Sequence, residues 1–261
     1  MSALPAPETF LSGETGHVAG LRRTTLRRAG DALLDLGLRL RARRLERLAA
    51  AVPRRSVLAA CVHRPDAQPP PLATDRHELR YVTGSTAELG GGKFENLRAL
   101  LDGEPAADWT VVLDDDVELP ARFLDRFLGV CEHLGLALAQ PAQTLASHAA
   151  WPVTRRRPAL ARQTRFVEIG PVTAFRRDAA AELLPFPPLR YGWGLDLHWA
   201  AVAAERGWRL GIVDATPVRH ERAPVAASYR AEDAIAEARR FLAERPYLTA
   251  DRVREVVAVH R

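Results

Sequence analysis

The chain has 261 residues and a formal net charge of +5, which is enough length for one large α/β domain and an appendage. The charge is unevenly spread, because residues 1–55 carry 11 Arg against 5 acids (11 − 5 = +6), which leaves the rest of the chain at 5 − 6 = −1. A near-neutral main domain lacks the basic surface with which proteins bind nucleic acid. We therefore expect no nucleic-acid partner.

Cysteine content and hydropathy indicate the cellular compartment. Cys61 and Cys131 are the two cysteines, and both lie in apolar stretches, so neither a disulfide framework nor a zinc site is indicated. No apolar stretch approaches the ~20 residues of a membrane span, and the N-terminus has no signal-peptide core. We expect a cytoplasmic protein that is soluble or peripheral at the inner face of the membrane.

Residues 1–53 are predicted to form a mobile tail and a basic helical arm. Residues 1–20 show no periodicity, whereas from Asp31 apolar residues recur every three or four positions until Pro53, with arginines off that stripe. The apolar stripe comprises Leu34, Leu38, Ala42, Leu45, Leu48 and Val52. We expect this amphipathic helix to pack its leucines on the main domain, and the alternative is a peripheral contact with an anionic membrane surface.

The main domain is predicted to begin with the apolar strand Ser56–His63. A short second strand, Leu79–Thr83, precedes the glycine-rich turn Gly90–Gly92, which opens a helix at Lys93. A glycine-rich loop at a helix N-terminus can hold phosphate, although this spacing matches neither a Walker loop nor a dinucleotide fingerprint. Lys93 is the only lysine among 37 basic residues, so it is a candidate ligand-binding residue together with Asn96 on the same helix.

The central feature of the chain is the stretch Trp109–Pro120, where an apolar strand runs into three acids. Thr110–Leu113 is typical of a strand covered on both faces, and Asp114, Asp115 and Asp116 follow at once. Adjacent carboxylates repel one another, and a divalent cation such as Mn²⁺ or Mg²⁺, which prefers oxygen ligands, would relieve that repulsion. Ligands also gather beyond the carboxyl ends of strands in α/β sheets. The alternative is a plain turn in which one Asp caps the next helix.

The segment beyond the acidic strand contains a predicted helix, Ala121–Leu134, and a predicted strand, Leu136–Gln140. The chain is then irregular and arginine-rich to Arg165, with no acid between Glu132 and Glu168. A solvated loop is the usual meaning of such a run. Near a bound diphosphate, however, the same arginines could bind an acidic acceptor or close over the site as a lid.

Asp114 and Asp116 resemble the DXD motif of the GT-A glycosyltransferases, and three later segments follow in the order typical of family 2 of that type. These segments are FVEIGPVTAFRR (166–177), YGWGLDLHWAAVAA (191–204) and GWRLGIVDATPVRH (207–220). The resemblance covers residues 54–222. It implies a catalytic domain with a Rossmann-like α/β fold of a mostly parallel sheet flanked by helices. It also implies a nucleotide-diphospho-sugar donor, an unknown acceptor, and Mn²⁺ or Mg²⁺ as cofactor.

On the donor side, the resemblance and the acidic triplet indicate one set of residues for the metal and another for the donor. The metal would be held by Asp114, Asp116 and His220, an O, O, N ligand set. The donor would be contacted by Asp114, Asp115, Lys93 and Asn96. A bound cation would offset the charge of the departing diphosphate. The alternative for His220 is a plain surface residue.

On the acceptor side, transfer with inversion needs a base for the acceptor hydroxyl. Asp196 is the candidate, because Trp193 and Gly194 beside it offer a stacking surface and a close backbone approach. Members of the family carry Glu-Asp at this place, whereas this chain has Leu195 and Asp196, so only the Asp carries over. The alternative is that Asp196 caps the helix that follows.

A phosphatase is the second interpretation of the triplet, since the haloacid dehalogenase-like phosphatases carry a DxDx(T/V) motif. That motif normally lies on the first strand, and here Glu118 stands at the place of its Thr or Val. A sugar-phosphate nucleotidyltransferase and a non-catalytic scaffold with the same fold are further alternatives. Residues 223–261 are predicted to form helices, Ala231–Arg245 and one from Asp251, that pack on the domain without chemistry of their own.

Overall fold

The computed structural model describes residues 21–220 and 229–261, so the predicted tail at residues 1–20 lies outside the described part. Helices and strands alternate along most of the chain. The strands are β1 (Ser56–His63), β2 (Glu78–Ser85), β3 (Trp109–Asp114), β4 (Val117–Glu118), β5 (Leu136–Gln143), β6 (Ala161–Thr164), β7 (Val172–Arg176), β8 (Arg209–His220) and β9 (Val256–His260). The helices are α1 (Leu21–Ala51), α2 (Thr86–Leu89), α3 (Lys93–Leu101), α4 (Phe123–Leu134), α5 (Arg177–Leu183), α6 (Leu195–Arg206), α7 (Ala231–Leu242) and α8 (Ala250–Val253).

The sheet has the strand order β2-β1-β3-β7-β5-β8-β6-β9, and the short strand β4 pairs with the end of β8. Strands β1, β2, β3, β5, β8 and β9 run in one direction, whereas β6 and β7 run in the other. The predicted α/β class, with a mostly parallel sheet flanked by helices, is confirmed. The carboxyl ends of β1, β3 and β8 therefore lie along one edge of the sheet.

Two hydrophobic cores cover the two faces of the sheet, and β3 contributes to both. Val112 packs in one core with Phe175 and Trp199, whose rings meet edge to face at 5.1 Å between centroids. Trp109 and Leu113 pack in the other core, on the side of α4. This double burial explains why β3 is an unbroken apolar run in the sequence, as expected for a central strand.

Helix α1 begins at Leu21, ahead of the start at Asp31 that the sequence suggested, and it packs on the domain as expected. Its carboxyl-terminal half lies so close to α4 that a Cβ atom on Gly129 would come within 2.8 Å of the Cα atom of Ala49. Asp31 does not cap the helix. Its carboxylate instead accepts hydrogen bonds from the backbone N–H groups of Leu145 (2.9 Å) and Ala146 (3.1 Å).

The arginine-rich segment is structured, and the prediction of a solvated loop is wrong for its central residues. The segment contains a 3-10 turn at Pro152–Thr154 and the strand β6. Arg162 is fully buried and binds both carboxylate oxygens of Asp214, at 2.8 and 2.9 Å. Arg156 is also buried, and it pairs with Asp35 of α1 at 2.7 Å. Bidentate pairing makes such burial tolerable, and a single-sequence pattern does not reveal it because the partners are remote.

The C-terminus ends in a strand where the sequence suggested a helix. The predicted helix from Asp251 is the short α8, after which Val256–His260 forms the edge strand β9 paired with β6. The valines of that segment are compatible with a strand, and the pairing with β6 selects that conformation. Helix α7 packs its apolar face on the domain, as predicted. Among the described residues, no helix is long and apolar enough to cross a membrane.

Candidate functional site

A cavity of about 740 Å³ lies at the edge where β1, β3 and β8 end. Its walls come from these strand ends, from the start of α3, and from the loops that precede β7 and α6. Of the residues nominated from the sequence, it is lined by Asp114, Asp115, Asp116, His220, Lys93 and Trp193. This position matches the rule that ligands of α/β sheets bind beyond the carboxyl ends of strands.

Asp114, Asp116 and His220 converge into one candidate metal site. Each offers one ligand atom, and the three atoms lie within 4.8 Å of one another. The pairing of β4 with β8 places Val117 opposite His220, and this pairing carries the imidazole to the acidic turn. Carboxylate and imidazole donors are a suitable set for Mn²⁺. His220 Nδ1 is buried and has no hydrogen-bond partner among the described residues. Among these residues, the imidazole is therefore held only on its Nε2 side, by Asp116.

Asp116 and His220 perturb each other's protonation. His220 Nε2 lies 3.1 Å from Asp116 Oδ1. Burial disfavours the imidazolium, but the hydrogen bond to Asp116 and the charges of Asp116 and Asp114 outweigh it and raise the pKa of His220. Burial likewise opposes ionisation of Asp116, yet His220 holds the pKa of Asp116 below its usual value. Without a metal, each of the two side chains therefore favours the charged form of the other.

Lys93 lies at the first acid of the triplet. Its Nζ atom is 2.5 Å from Asp114 Oδ1, and partial burial, which disfavours the ammonium, is outweighed by Asp114, so the pKa of Lys93 is raised. The loop before β7 passes directly over this pair. A Cβ atom on Gly170 would come within 3.1 Å of Asp114 Oδ2 and 3.2 Å of Lys93 Nζ, so the loop backbone lies close to both charged groups.

Asp115 turns toward β1 rather than toward the metal candidates. Its Oδ2 atom accepts hydrogen bonds from the backbone N–H of Arg64 (2.8 Å) and from Arg64 Nε (3.0 Å). Each acid of the triplet thus has a basic partner of its own, and the mutual repulsion expected from the sequence is offset within the chain. Asp115 and Arg64 both line the cavity, so a ligand in the cavity would meet the Arg64 side chain beside Asp115.

The glycine-rich turn is held by its own side chains. Asn96 accepts a hydrogen bond from the Gly91 N–H and donates one to the Gly91 carbonyl, both at 2.9 Å. The Gly92 N–H donates to Glu95 Oε2 at 2.7 Å. These two amides are therefore engaged within the turn itself. Asn96 is 2% exposed and lies behind the turn, outside the cavity lining.

Of the three predicted acceptor-side residues, the structure places one in the cavity lining and two outside it. Trp193 lines the cavity, and its Nε1 atom donates to the Tyr229 hydroxyl at 3.0 Å. Gly194 has φ +89° and starts α6 against Leu242, outside the lining. Asp196 is 6% exposed and also lies outside the lining, with Oδ1 accepting from the Leu197 N–H at 2.9 Å. Burial raises the pKa of Asp196 to about 7.

Sequence analysis missed Glu168, a 7% exposed acid that lines the cavity from the loop between β6 and β7. Gln143 Nε2 donates to its Oε2 atom at 3.0 Å. Burial, followed by the negative charge of Asp196, raises the pKa of Glu168 to about 8. Its signal in the sequence is weak: it is the acid that ends a long acid-free stretch, and it stands among apolar neighbours.

Helix α7 holds one wall of the cavity in place, a role that was not expected from the sequence. The carboxylate of Glu237 accepts three backbone N–H bonds, from Arg190 (2.7 Å), Tyr191 (2.9 Å) and Gly192 (3.0 Å). Tyr191 also packs against Tyr229, with 4.7 Å between ring centroids. The loop before α6 therefore presents an aromatic surface that is anchored to α7.

The sequence matches no family model and no curated protein. Among solved structures, the chain is similar to GalNAc-T7 in a crystal structure with UDP, GalNAc and Mn²⁺, at a TM-score of 0.46 and 11% identity. The match covers 64% of this chain and 43% of that one, so the chain spans less than half the length of that protein. By its own geometry, the molecule is an α/β protein with an acidic ligand site at the carboxyl edge of its sheet.

Proposed function

We propose that the chain is a metal-dependent glycosyltransferase that moves a sugar from a nucleotide-diphosphate donor to a hydroxyl acceptor, with inversion. The observation that carries the proposal is the convergence of Asp114, Asp116 and His220 within 4.8 Å, beside Lys93, in a cavity of about 740 Å³. Such a volume suits a ligand of nucleotide-sugar size. The order of the sequence segments that resemble family 2 of the GT-A type supports the same activity.

On the donor side, the chemical demand is to stabilise the negative charge of the departing diphosphate. A divalent cation, held by Asp114, Asp116 and His220, would supply Lewis-acid stabilisation when bound. Lys93 adds a fixed positive charge next to Asp114, and Arg64 adds another on the opposite side of the triplet. Asp115 serves the donor indirectly, because it holds both the backbone and the guanidinium of Arg64.

On the acceptor side, the wall formed by Tyr191, Trp193 and Tyr229 offers aromatic faces for a sugar ring or an apolar group. Direct displacement also requires a base. Asp196, the base predicted from the sequence, is 6% exposed and lies outside the cavity lining, so an acceptor hydroxyl in the cavity does not meet its carboxylate directly. The base is therefore sought among the acids that line the cavity.

The activity is tested with two measurements on the full chain. The first is thermal unfolding with a panel of nucleoside diphosphates, with and without Mn²⁺, since a ligand that binds the native state raises the melting temperature. The second is release of nucleoside diphosphate from nucleotide sugars. Stabilisation and release that both require Mn²⁺ support the proposal. Release of phosphate from simple phosphomonoesters would favour the phosphatase, and stabilisation without any release would favour a scaffold.

We also propose that α1 contacts an anionic membrane surface, at the inner face of the membrane. The helix has a second apolar face, because Leu26, Leu33, Leu36 and Leu40 are exposed and recur at helical spacing. Exposed arginines such as Arg39 and Arg43 flank that face. The acids of α1 are instead turned toward the body of the protein, where Asp35 and Glu46 bind arginines. Positive charge beside exposed leucines suits anionic lipid.

A further inference from the structure

Glu168 lies beside the candidate metal site, on the loop between β6 and β7. The same loop passes over the Lys93–Asp114 pair at Gly170, where a Cβ atom would come within 3.1 Å of Asp114 Oδ2. Glu168, two residues before Gly170, lines the same cavity as the acidic triplet. Its position follows from the loop rather than from the acidic triplet.

The structure fixes Glu168 firmly. Its backbone N–H donates to Gln140 Oε1, and its carbonyl accepts from Thr173 Oγ1 at 3.0 Å. Its carboxylate accepts from Gln143 Nε2 at 3.0 Å. These partners are neutral, so they orient the carboxylate without committing it to an ion pair.

Glu168 differs in this respect from the other acids of the cavity. Asp114, Asp115 and Asp116 are paired with Lys93, Arg64 and His220. Asp233 is exposed at the rim. Within residues 21–220 and 229–261, no ion pair involves Glu168. It is therefore the buried acid of the cavity lining that retains a carboxylate available for proton exchange.

We propose that Glu168, rather than Asp196, takes the proton of the acceptor hydroxyl, an inference that rests on the proposed glycosyl transfer. The acceptor O–H bond breaks, and its proton passes to a carboxylate oxygen of Glu168. The acceptor oxygen forms a bond to the anomeric carbon, and the bond from that carbon to the diphosphate oxygen breaks. The nucleoside diphosphate leaves with that electron pair, and the proton on Glu168 later returns to solvent.

The environment of Glu168 supports this role. Burial and the negative charge of Asp196 from α6 raise the pKa of Glu168 to about 8, while the charge of His220 from β8 opposes that increase. A base with a pKa near the working pH combines sufficient ionisation with a strong tendency to accept a proton. Asp196 contributes to this setting from behind the wall, so it acts as a positioning residue in this scheme.

The test compares Glu168→Gln with Asp196→Asn in the full chain, using hydrolysis of nucleotide sugars in Mn²⁺, where water serves as the acceptor. We expect Glu168→Gln to lower nucleoside diphosphate release by a factor on the order of 10² to 10⁴. The melting-temperature shift caused by nucleoside diphosphate and Mn²⁺ should remain. Glu168→Asp, which keeps a carboxylate, should recover part of the rate. The matched control is Glu118→Gln, an exposed acid outside the cavity lining, which should leave the rate unchanged.

Three outcomes overturn the inference. Near-normal release by Glu168→Gln, with loss in Asp196→Asn, would assign the base to Asp196. Loss of the melting-temperature shift along with release in Glu168→Gln would mean that the residue serves folding or donor binding. A wild-type chain that releases nothing from any nucleotide sugar would overturn the proposed transfer itself, which separates that failure from the first two.

Discussion

His220 Nε2 lies 3.1 Å from Asp116 Oδ1, and this pair joins the end of β8 to the acidic turn after β3. The contact depends on the short antiparallel pairing of β4 with β8, which places Val117 opposite His220. A cation bound at this place would take over the electrostatic role that a protonated His220 plays for Asp116. Such a cation would therefore compete with that proton.

Asp116→Ala tests that relationship. We expect the variant to lose the Mn²⁺-dependent part of the stabilisation by a nucleoside diphosphate, because one of the three ligand atoms is gone. The fold should persist, since His220 can become neutral when its partner is removed. The measurement is a thermal shift with and without Mn²⁺, with Glu118→Ala as the control next to the same turn. A full Mn²⁺-dependent shift in Asp116→Ala would refute the ligand assignment.

Lys93→Met tests the positive charge that Lys93 places beside Asp114. The Lys93 ammonium is 2.5 Å from Asp114 Oδ1, so a cation that binds Asp114 must share or displace it. We expect the variant to bind Mn²⁺ more tightly and nucleoside diphosphate more weakly, because the carboxylate is freed while a phosphate partner is lost. Isothermal titration with each ligand alone separates the two effects. Unchanged affinity for both ligands would contradict the proposed role.

The sequence predicted those parts of the molecule that depend on local pattern. Strand β1 matches its predicted bounds, and the acidic turn after β3 lies on the cavity as expected, because an apolar run and its end are local features. Glu168 and Arg162 could not be predicted in this way. The role of each depends on a partner or a cavity assembled from remote segments, such as Asp214 for Arg162.

The glycine-rich turn and strand β9 likewise depend on contacts that the local sequence does not reveal. The turn at Gly91 suggested phosphate binding, yet its amide is engaged by Asn96, a contact that only the folded turn reveals. The valines of β9 are too few to distinguish an edge strand from a helix end without knowledge of β6 beside them. Local sequence therefore predicted the framework and the acidic cluster, whereas tertiary contacts decide which side chains are available for binding.

Arg162 and Arg165 form a matched pair for a stability prediction. Arg162 is fully buried against Asp214, while Arg165 pairs with Glu255 at the surface. Arg162→Met should destabilise the fold by about 3–5 kcal/mol, because it leaves a buried carboxylate without its partner. Arg165→Met should cost about 0–1 kcal/mol. Urea unfolding of both variants measures the difference, and equal effects would contradict the account of the buried pair.

Glu168 and Asp196 predict how stability depends on pH in the presence of a chelator. Their pKa values in the folded chain, about 8 and about 7, lie above the ordinary values of 4.5 and 3.8. Their contribution to stability is therefore fully present below those ordinary values and is lost as the pH rises through about 7 to 8. Glu168→Gln cannot ionise, so it should gain stability over the wild type as the medium becomes alkaline.

The measurement for this prediction is the melting temperature of the wild type and Glu168→Gln across the range from mildly acidic to alkaline pH. The two curves should lie close together at acidic pH, separate as the pH rises toward about 8, and keep a constant separation beyond it. Glu118→Gln is the control, and its curve should follow the wild type because that side chain is exposed. Curves for Glu168→Gln and the wild type that coincide across the whole range would show that Glu168 titrates normally.

The exposed face of α1 gives the last prediction. Leu33 and Leu40 are exposed on this face, and Arg39 and Arg43 lie beside it. Vesicles rich in anionic lipid should retain the full chain in low salt and release it in high salt, because screening weakens the attraction between arginines and lipid. Neutral vesicles should retain much less.

A double variant separates lipid contact from other uses of the same face. Leu33→Ser with Leu40→Ser removes apolar surface without changing charge, so it should weaken retention while leaving the melting temperature close to that of the wild type. Gel filtration of both proteins reports whether the face instead joins two copies of the chain. Retention that is absent in low salt would exclude the membrane contact and leave α1 with its packing role against α4. A dimer that dissociates in the double variant would instead assign the exposed face to contact between two copies of the chain.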